Sequence, residues 1–173
     1  DFARWDPTRT ETNKYVIYST ASAAERSGFL SQQLGKGFWV TAGRARSVAL
    51  SGARATAPVA ADFAAGWNQL GNPYTTATDI TGAQVAVGGT TCDLATSNAN
   101  GYTTDYFWAY DSFTRSYQLI SAMFSFARTT VRKGEGFFFL ANRSGKLILP
   151  QPGAAAASTP PAVSAKPAAG EWT

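Results

Sequence analysis

Short stretches rich in β-branched and aromatic residues recur along the chain, and several alternate polar with apolar positions. Alternation places every second side chain on one face of a strand, which is the pattern of a half-buried strand. Dipeptides such as Asn72-Pro73 and Asn100-Gly101 favour turns between the stretches. The pattern predicts strands at residues 14–18, 37–41, 46–51, 106–110, 116–120, 137–140 and 146–149.

Helical patterns are scarce in the sequence. We expect one turn of helix at residues 21–26 and another at residues 75–82. Short strands separated by turn signals at this spacing are typical of antiparallel sandwiches and barrels. The predicted fold class is therefore all-β, an antiparallel β-sandwich.

One part of the sequence recurs at an offset of 99 residues. Residues 35–40 (Gly-Lys-Gly-Phe-Trp-Val) match residues 134–139 (Gly-Glu-Gly-Phe-Phe-Phe), and the same offset carries residues 48–50 onto residues 147–149. Repetition at a fixed period indicates a duplicated structural unit. We expect eight repeat-related positions to lie in the core: Phe38, Val40, Val48, Leu50, Phe137, Phe139, Leu147 and Leu149.

The duplication divides the chain into three parts. Residues 1–58 form a first, incomplete β repeat, and residues 59–150 form a second repeat packed against the first. The second repeat has an opening, residues 59–105, that the first lacks, so we expect the missing strands of the first to come from residues upstream of Asp1 or from elsewhere.

Residues 151–173 are rich in Ala, Pro and Ser and have few side chains that could bury apolar surface. Such a composition predicts an extended linker or docking tail, close to polyproline II in conformation. We expect the tail to dock on another subunit through four anchors: Pro160, Pro161, Val163 and Trp172.

Three short motifs occur in the second and first repeats. They are residues 66–74 (Gly-Trp-Asn-Gln-Leu-Gly-Asn-Pro-Tyr), residues 108–111 (Trp-Ala-Tyr-Asp) and the Gly-Lys-Gly-Phe-Trp-Val segment. Together they resemble repeated β modules of bacterial secreted and cell-surface proteins, over roughly residues 1–150. The resemblance implies surface-exposed β-sandwich modules without catalytic residues, appended to larger proteins. Glu135 stands where those modules usually carry Lys.

Within the first of these motifs we assign architectural roles to two residues. Trp67 is expected to be packed, and Asn72 is expected to hold a turn through hydrogen bonds to the backbone.

Composition narrows the functional classes. Only 15% of the 173 residues are charged, against about 25% in typical proteins, and there is no His to act as a general base or metal ligand. The net charge is +4, but the basic residues are scattered rather than clustered as nucleic-acid recognition requires. The absence of a long apolar run indicates no transmembrane helix in this chain.

The composition resembles that of exported bacterial proteins, and this indicates where in the cell the protein is located. The chain is rich in Thr, Ser, Gly, Ala and aromatic residues, and it begins with Asp1 rather than Met, which suggests a processed or truncated terminus. We therefore expect an extracellular, cell-surface or periplasmic location.

Residues that could take part in catalysis, phosphate binding or metal binding have simpler structural explanations. Asp6 and Asp111 occupy equivalent repeat positions and are better explained as turn formers than as a glycosidase pair. Cys92 has no His to activate it. The Gly-x-Gly segments precede strands, unlike a phosphate-binding loop. Five residues could supply oxygen ligands to calcium, but their spacing is not that of an EF-hand loop: Asp79, Asp93, Asn98, Asn100 and Asp105.

The sequence thus predicts a non-catalytic structural or interaction module of an exported bacterial protein, or an accessory subunit of a larger envelope assembly. A protein partner is expected, with no cofactor, metal or nucleic acid. The alternative is a carbohydrate-binding module, because exposed aromatic rings can stack on sugars as on other apolar faces. The residues assigned to stacking are Trp5, Trp108 and Tyr110.

Overall fold

The computed structural model describes residues 1–30, 34–42 and 55–153. The predicted strand at residues 46–51, the core positions Val48 and Leu50, and the four tail anchors at residues 160–172 lie outside these ranges. In chain order the elements are β1 (Phe2–Trp5), β2 (Tyr15–Ile17), α1 (Ala23–Leu30), β3 (Trp39–Val40), β4 (Val59–Phe63), β5 (Gly66–Gly71), β6 (Thr78–Asp79), a 3-10 helix (Ile80–Gly82), β7 (Gln84–Val87), β8 (Thr90–Asp93), α2 (Leu94–Ala99), β9 (Tyr106–Asp111), β10 (Ser116–Ser121), β11 (Thr130–Val131), β12 (Gly136–Ala141) and β13 (Gly145–Leu149).

Two four-stranded sheets face each other across the core. Their strand orders are β10-β9-β12-β5 and β4-β13-β7-β8, and every pair of neighbouring strands within them is antiparallel. The rings of Phe63 in β4 and Phe139 in β12 meet edge to face with centroids 5.2 Å apart, which marks the contact between the sheets. The predicted all-β antiparallel sandwich is confirmed.

The core is built from strands that alternate inward and outward residues. In β12, Phe137 and Phe139 are fully buried, whereas Phe138 between them faces the opposite side of the sheet and is only partly buried. In β13, Leu147 and Leu149 are also buried. These four core assignments from the repeat are confirmed.

A smaller sheet in the first repeat has the same layout as part of the second. Its order is β2-β1-β3, which corresponds to β10-β9-β12. Trp39 pairs with Ala3 in the first repeat, as Phe138 pairs with Trp108 in the second. The two sets of three strands therefore share strand order and register.

The equivalence does not extend to burial: Phe38 is only half-buried, and the assignment of Val40 to the core is wrong. Val40 is 51% exposed, whereas its counterpart Phe139 is completely buried. The sheet formed by β4, β13, β7 and β8 covers Phe139. Among the described residues, β3 is packed only on its other face, where Trp39 contacts Tyr110 and Phe138. Sequence repetition specifies the strand but not the layer that covers it.

The helices are short and capped by side chains. The helix predicted at residues 21–26 is α1, which begins with a capping box: the Glu25 backbone N–H donates to Ser22 Oγ (3.3 Å), and the Ser22 backbone N–H donates to the Glu25 carboxylate (2.9 Å). The second predicted turn is reduced to the 3-10 helix. Helix α2 was not predicted; the Thr96 backbone N–H donates to Asp93 Oδ1 at its start (2.7 Å).

The Asn72 side chain joins two segments of the second repeat, its own turn and residues 131–132, as its assigned architectural role predicts. Its Nδ2 group lies within hydrogen-bond distance of the backbone oxygens of Thr76 (2.9 Å), Val131 (3.1 Å) and Arg132 (3.0 Å). Its Oδ1 accepts from the backbone N–H of Tyr74 (2.9 Å). The side chain therefore fixes the turn after β5 against the strand β11.

Substitution of Asn72 by Ala should destabilise the fold, because several backbone groups lose their partner at once. We expect the free energy of unfolding to fall by about 2–4 kcal/mol in urea denaturation. Asn142→Ala is the matched control, since the Asn142 side chain donates to the Gly101 oxygen alone at an exposed site. It should cost about 0.5–1 kcal/mol, and an equal loss in the two variants would contradict the role given to Asn72.

Strand β5 carries backbone hydrogen bonds on both of its edges. On one edge it pairs with β12, with Leu70 opposite Phe137. On the other edge it meets the first repeat: the Gly71 N–H donates to Gly35 O (2.9 Å), and the Gly37 N–H donates to Gln69 O (3.3 Å). The contact is so close that a Cβ on residue 37 would lie 2.3 Å from Leu70 O. Only glycine is accommodated there without movement of the backbone.

Gly37→Ala should therefore separate the two repeats locally and lower the free energy of unfolding by about 2–3 kcal/mol. Gly136→Ala is the control at the equivalent repeat position, where an added Cβ would lie at an ordinary contact distance of 3.4 Å from Leu70 O. It should change stability by less than about 0.5 kcal/mol. If chemical denaturation shows equal effects, the close approach at Gly37 does not limit the packing.

Truncation of Phe139, whose ring contacts the facing sheet, tests the packing of the core. Phe139→Ala should lower the free energy of unfolding by about 3–5 kcal/mol, because a fully buried aromatic leaves a cavity. The control Phe113→Ala removes a ring that is 93% exposed and should have an effect within about 0.5 kcal/mol. A small loss for Phe139→Ala in urea denaturation would contradict the sandwich arrangement.

Candidate functional site

The outward face of the sheet β10-β9-β12-β5 is aromatic. Because side chains alternate along a strand, the residues between the buried core positions point away from the core. In β9 these include Trp108 and Tyr110, and in β12 they include Phe138. Tyr117 in β10 pairs with Tyr110 and places its ring 5.3 Å from it. Large rings on this face need either a covering layer or a ligand to remove them from water.

The first repeat covers part of this face. The indole N–H of Trp5 donates to the backbone oxygen of Trp67 (2.6 Å), and the backbone N–H of Trp5 donates to Gln69 Oε1 (3.1 Å). The Trp5 ring also meets Phe138 edge to face, with centroids 5.8 Å apart. Nearby, Trp39 lies 5.2 Å from Tyr110. Strands β1 and β3 are thus anchored on the second repeat by their tryptophans.

The part that stays uncovered is a cleft of about 430 Å³ that opens to solvent. We call it the aromatic cleft, and it is lined by Trp5, Tyr15, Trp67, Trp108, Tyr117 and Phe138. Trp67 is 39% exposed and Tyr117 is 50% exposed. Its volume lies in the range of ligand-binding clefts. Its lining comes from both repeats, so the docking of one repeat on the other creates it.

The cleft is uncharged at neutral pH. Burial raises the pKa of Tyr15 above its ordinary value, and burial together with the neighbouring Tyr110 raises the pKa of Tyr117. Both phenols therefore stay protonated, and the other lining residues do not ionise. Within the described ranges no hydrogen bond engages the indole N–H of Trp67 or Trp108. The cleft combines apolar rings with indole donors available for a ligand.

The structure brings two of the three residues assigned to sugar stacking into the cleft, namely Trp5 and Trp108. Tyr110 lies beside it, between Trp39 and Tyr117, and supports the lining rather than forming it. Tyr15 was missed by the sequence analysis. Tyr15 pairs with Trp5 as Tyr117 pairs with Tyr110, so the position of Tyr15 in β2 corresponds to that of Tyr117 in β10.

Trp67 does not have the packed environment expected of it, and that prediction is wrong for its side chain. The ring is exposed at the cleft, while the backbone oxygen serves as the anchor for Trp5. Trp67 faces outward in β5 because its neighbour Asn68 turns inward. The Asn68 side chain there accepts from the Ala64 backbone N–H (2.9 Å) and donates to its oxygen (2.7 Å).

A second cleft, of about 420 Å³, is lined by charged side chains that form ion pairs or hydrogen bonds within the protein. Arg4 forms an ion pair with Asp6 (3.1 Å), and the Lys36 ammonium donates to the backbone oxygen of Asp62 (2.6 Å). Burial lowers the pKa of Lys36, although the Asp62 carboxylate opposes that shift. These contacts engage Arg4 through Nη1 and Lys36 through Nζ, while the buried Arg4 Nε has no hydrogen-bond partner among the described residues. We assign no site there.

Four of the five acidic residues considered as catalytic or metal-binding groups are engaged in turns and caps, namely Asp6, Asp79, Asp93 and Asp111. The fifth, Asp105, is buried, and its Oδ2 has no hydrogen-bond partner among the described residues. The Thr8 backbone N–H donates to Asp6 Oδ1 (3.1 Å), and the Phe113 backbone N–H donates to Asp111 Oδ1 (2.9 Å). Both are Asx turns, as predicted. In residues 1–30, 34–42 and 55–153 no cluster of three or more acidic, His or Cys side chains could hold a metal ion.

Glu135 has a structural role that the sequence did not reveal. It forms a two-pronged ion pair with Arg128, at 2.6 and 2.7 Å, and accepts from the backbone N–H of Arg132 (2.8 Å). These contacts close the loop that precedes β12.

No helix in the described part of the chain has the length and apolar character needed to cross a membrane. The chain matches no known protein family, no curated protein and no solved structure.

Proposed function

We propose that the chain is a non-catalytic interaction module that holds a protein partner at the aromatic cleft. The observation that carries the proposal is the open cleft itself, whose six lining residues are all aromatic and come from both repeats. Aromatic residues of this size dominate the energetics of protein interfaces, because each buries a large area with few freely rotating bonds.

The chemistry of the lining restricts the partner. No lining side chain carries a charge at neutral pH, so nothing in the cleft compensates a charged group that loses its water. An uncharged segment with ring-shaped or branched apolar side chains can pack against the aromatic rings and remove them from water. Backbone carbonyls of such a segment can accept from the indole donors of Trp67 and Trp108.

The cellular setting belongs to the same proposal. The resemblance of the motifs to bacterial surface modules supports a module of an exported protein, or an accessory subunit of a larger envelope assembly. The setting would be extracellular, at the cell surface or periplasmic. Neither a nucleic acid nor a cofactor enters the proposal.

Carbohydrate binding is the second candidate. It is favoured by the position of Trp5 and Trp108 in the lining, since flat indole rings can stack on the apolar face of a sugar. Against it stands the scarcity of polar side chains in the lining, because sugars present many hydroxyl groups that need hydrogen-bond partners when buried.

Fluorine NMR of the full chain labelled with 5-fluorotryptophan separates the two candidates. The five tryptophans give five resonances, and three of them, those of Trp5, Trp67 and Trp108, report on the cleft. A decaproline peptide should shift the three cleft resonances, while cellohexaose, chitohexaose and maltohexaose should leave them unchanged.

The same titrations of the Trp67→Ala variant serve as the control, since loss of one lining ring should weaken the effect of a true cleft ligand on Trp5 and Trp108. Shifts produced by a sugar and not by the peptide would replace the leading proposal with the carbohydrate-binding module. If neither class of probe shifts the cleft resonances, the aromatic cleft is not a binding site of either kind.

A further inference from the structure

We propose that the aromatic cleft of one copy of this chain receives residues 122–127 of a second copy, so that the protein self-associates. The inference rests on the proposed function of the cleft and names the partner. Residues 122–127 lie between β10 and β11, and we call them the apolar loop. The cleft and the loop are both uncharged, and both are open to solvent in the described chain.

The apolar loop presents large apolar side chains to water. Met123, Phe124 and Phe126 are all exposed, and Phe126 is exposed by 81%. The rings of Phe124 and Phe126 lie with centroids 5.5 Å apart, so they form one continuous apolar surface. A contiguous apolar surface of this kind marks a site at which a protein contacts another protein, a membrane or a ligand.

Hydrogen bonds within the loop and at its base fix its shape. The Ser121 N–H donates to Arg128 O (2.9 Å) and closes the base, and the Ala127 N–H donates to Phe124 O (2.9 Å) inside the loop. No residue of the loop belongs to the lining of its own chain's cleft. The loop thus stands outside its own cleft with its rings already in place, so the cleft that receives it belongs to another copy.

The charges of the loop match those of the cleft. Residues 116–127 contain no charged side chain, and neither does the lining of the cleft. No charged group therefore loses its water when the two surfaces meet, and the largest cost of burying polar surface is avoided.

The residue that follows the loop favours a protein partner over a membrane. Arg128 is the basic residue next to the loop, and its two terminal nitrogens donate to the Glu135 carboxylate (2.6 and 2.7 Å). The guanidinium is already neutralised by this pair. It therefore does not supply the attraction to anionic lipids that strengthens the binding of an apolar segment to a membrane surface.

The size of the cleft suits the pair of rings. A cavity of about 150 Å³ holds one benzene molecule. The aromatic cleft, at about 430 Å³, has room for the rings of both Phe124 and Phe126. Their edges and faces can meet the rings of the lining as aromatic rings meet one another in a protein core.

Hydrogen-bond donors of the cleft find acceptors on the loop. The indole N–H groups of Trp67 and Trp108 have no acceptor in the described part of the chain. The backbone oxygens of Ser125 and Phe126 accept no hydrogen bond from any described residue. One loop carbonyl for each indole satisfies both donors of the cleft.

Each copy offers one loop and one cleft, so the contact joins two different surfaces. Three apolar side chains make a small contact, and small interfaces belong to weak complexes. Association therefore depends on concentration, and sedimentation equilibrium of the full chain over a wide range of concentrations measures it directly.

Variants of the full chain separate the contributions of loop and cleft. Phe126→Ala and Phe124→Ala/Phe126→Ala disable the loop, and their exposed positions leave the core intact. Trp67→Ala disables the cleft, with Tyr117→Ala as a second cleft variant should the first fold poorly. Phe113→Ala is the matched control, because it removes an exposed ring that lies outside both the loop and the cleft lining.

We expect the wild-type chain to self-associate and Phe113→Ala to associate equally well. Each loop or cleft variant should weaken the association constant at least about 30-fold. An equimolar mixture of Phe126→Ala and Trp67→Ala should regain one-to-one association, because the intact loop of the second variant occupies the intact cleft of the first.

Fluorine NMR then locates the contact. The Phe126→Ala chain labelled with 5-fluorotryptophan keeps its cleft but has a disabled loop. Addition of unlabelled Trp67→Ala chain, whose loop is intact, should shift the resonances of Trp5, Trp67 and Trp108. Unlabelled Trp67→Ala/Phe126→Ala chain, in which both surfaces are disabled, should leave them unchanged.

Three outcomes would overturn the inference: a monomeric wild-type chain at every concentration, association that the loop variants do not weaken, or cleft resonances that do not respond to an intact loop. Loop variants that lose binding to vesicles of phosphatidylcholine and phosphatidylglycerol, with self-association unchanged, would assign the loop to a membrane and also overturn it. If the chain is monomeric but decaproline shifts the cleft resonances, the proposed function stands and only the partner is wrong.

Discussion

The hydrogen bonding of β5 on both edges is the constraint on which the rest of the structure depends. One edge belongs to the second repeat, through β12, and the other is held by the glycines at positions 35 and 37 of the first repeat. The backbones approach so closely that a side chain at position 37 would collide with Leu70 O. Because this contact is made by the main chain, it fixes the register of one repeat against the other rather than only their proximity.

The aromatic cleft follows from that register. Because Gly37 lies beside Gln69, strand β1 of the first repeat lies next to β5. There the indole N–H of Trp5 donates a hydrogen bond to the backbone oxygen of Trp67. The same alignment sets Trp39 on Tyr110. Two tryptophans of the first repeat therefore cover one part of the sheet and leave the neighbouring part open. Neither repeat contains the full set of lining residues.

The sequence predicted those features of the fold that depend on the local pattern of residues. Alternation identified Phe137 and Phe139 as core residues, because the buried face of an antiparallel strand is visible in its residue order. The exposure of Val40 could not be predicted from its likeness to Phe139, since burial depends on which sheet covers a strand. The ring of Trp67 faces outward because Asn68 satisfies backbone groups on the inside, a contact between residues that no periodicity reveals.

Lys36 and Glu135 show how residues 1–58 and residues 59–150 are joined into one unit. Lys36 and Glu135 occupy the same position of the Gly-x-Gly segment and carry opposite charges. Glu135 pairs with Arg128 of its own repeat and closes its own loop. Lys36 instead reaches across to the backbone of Asp62 in the second repeat. A positive charge at position 135 would face Arg128, and a negative charge at position 36 would face the Asp62 oxygen, so exchanging the two residues would oppose both contacts. Glu135 thus closes a loop within residues 59–150, whereas Lys36 helps to dock residues 1–58 on them. The docked residues supply Trp5 and Tyr15 to the aromatic cleft.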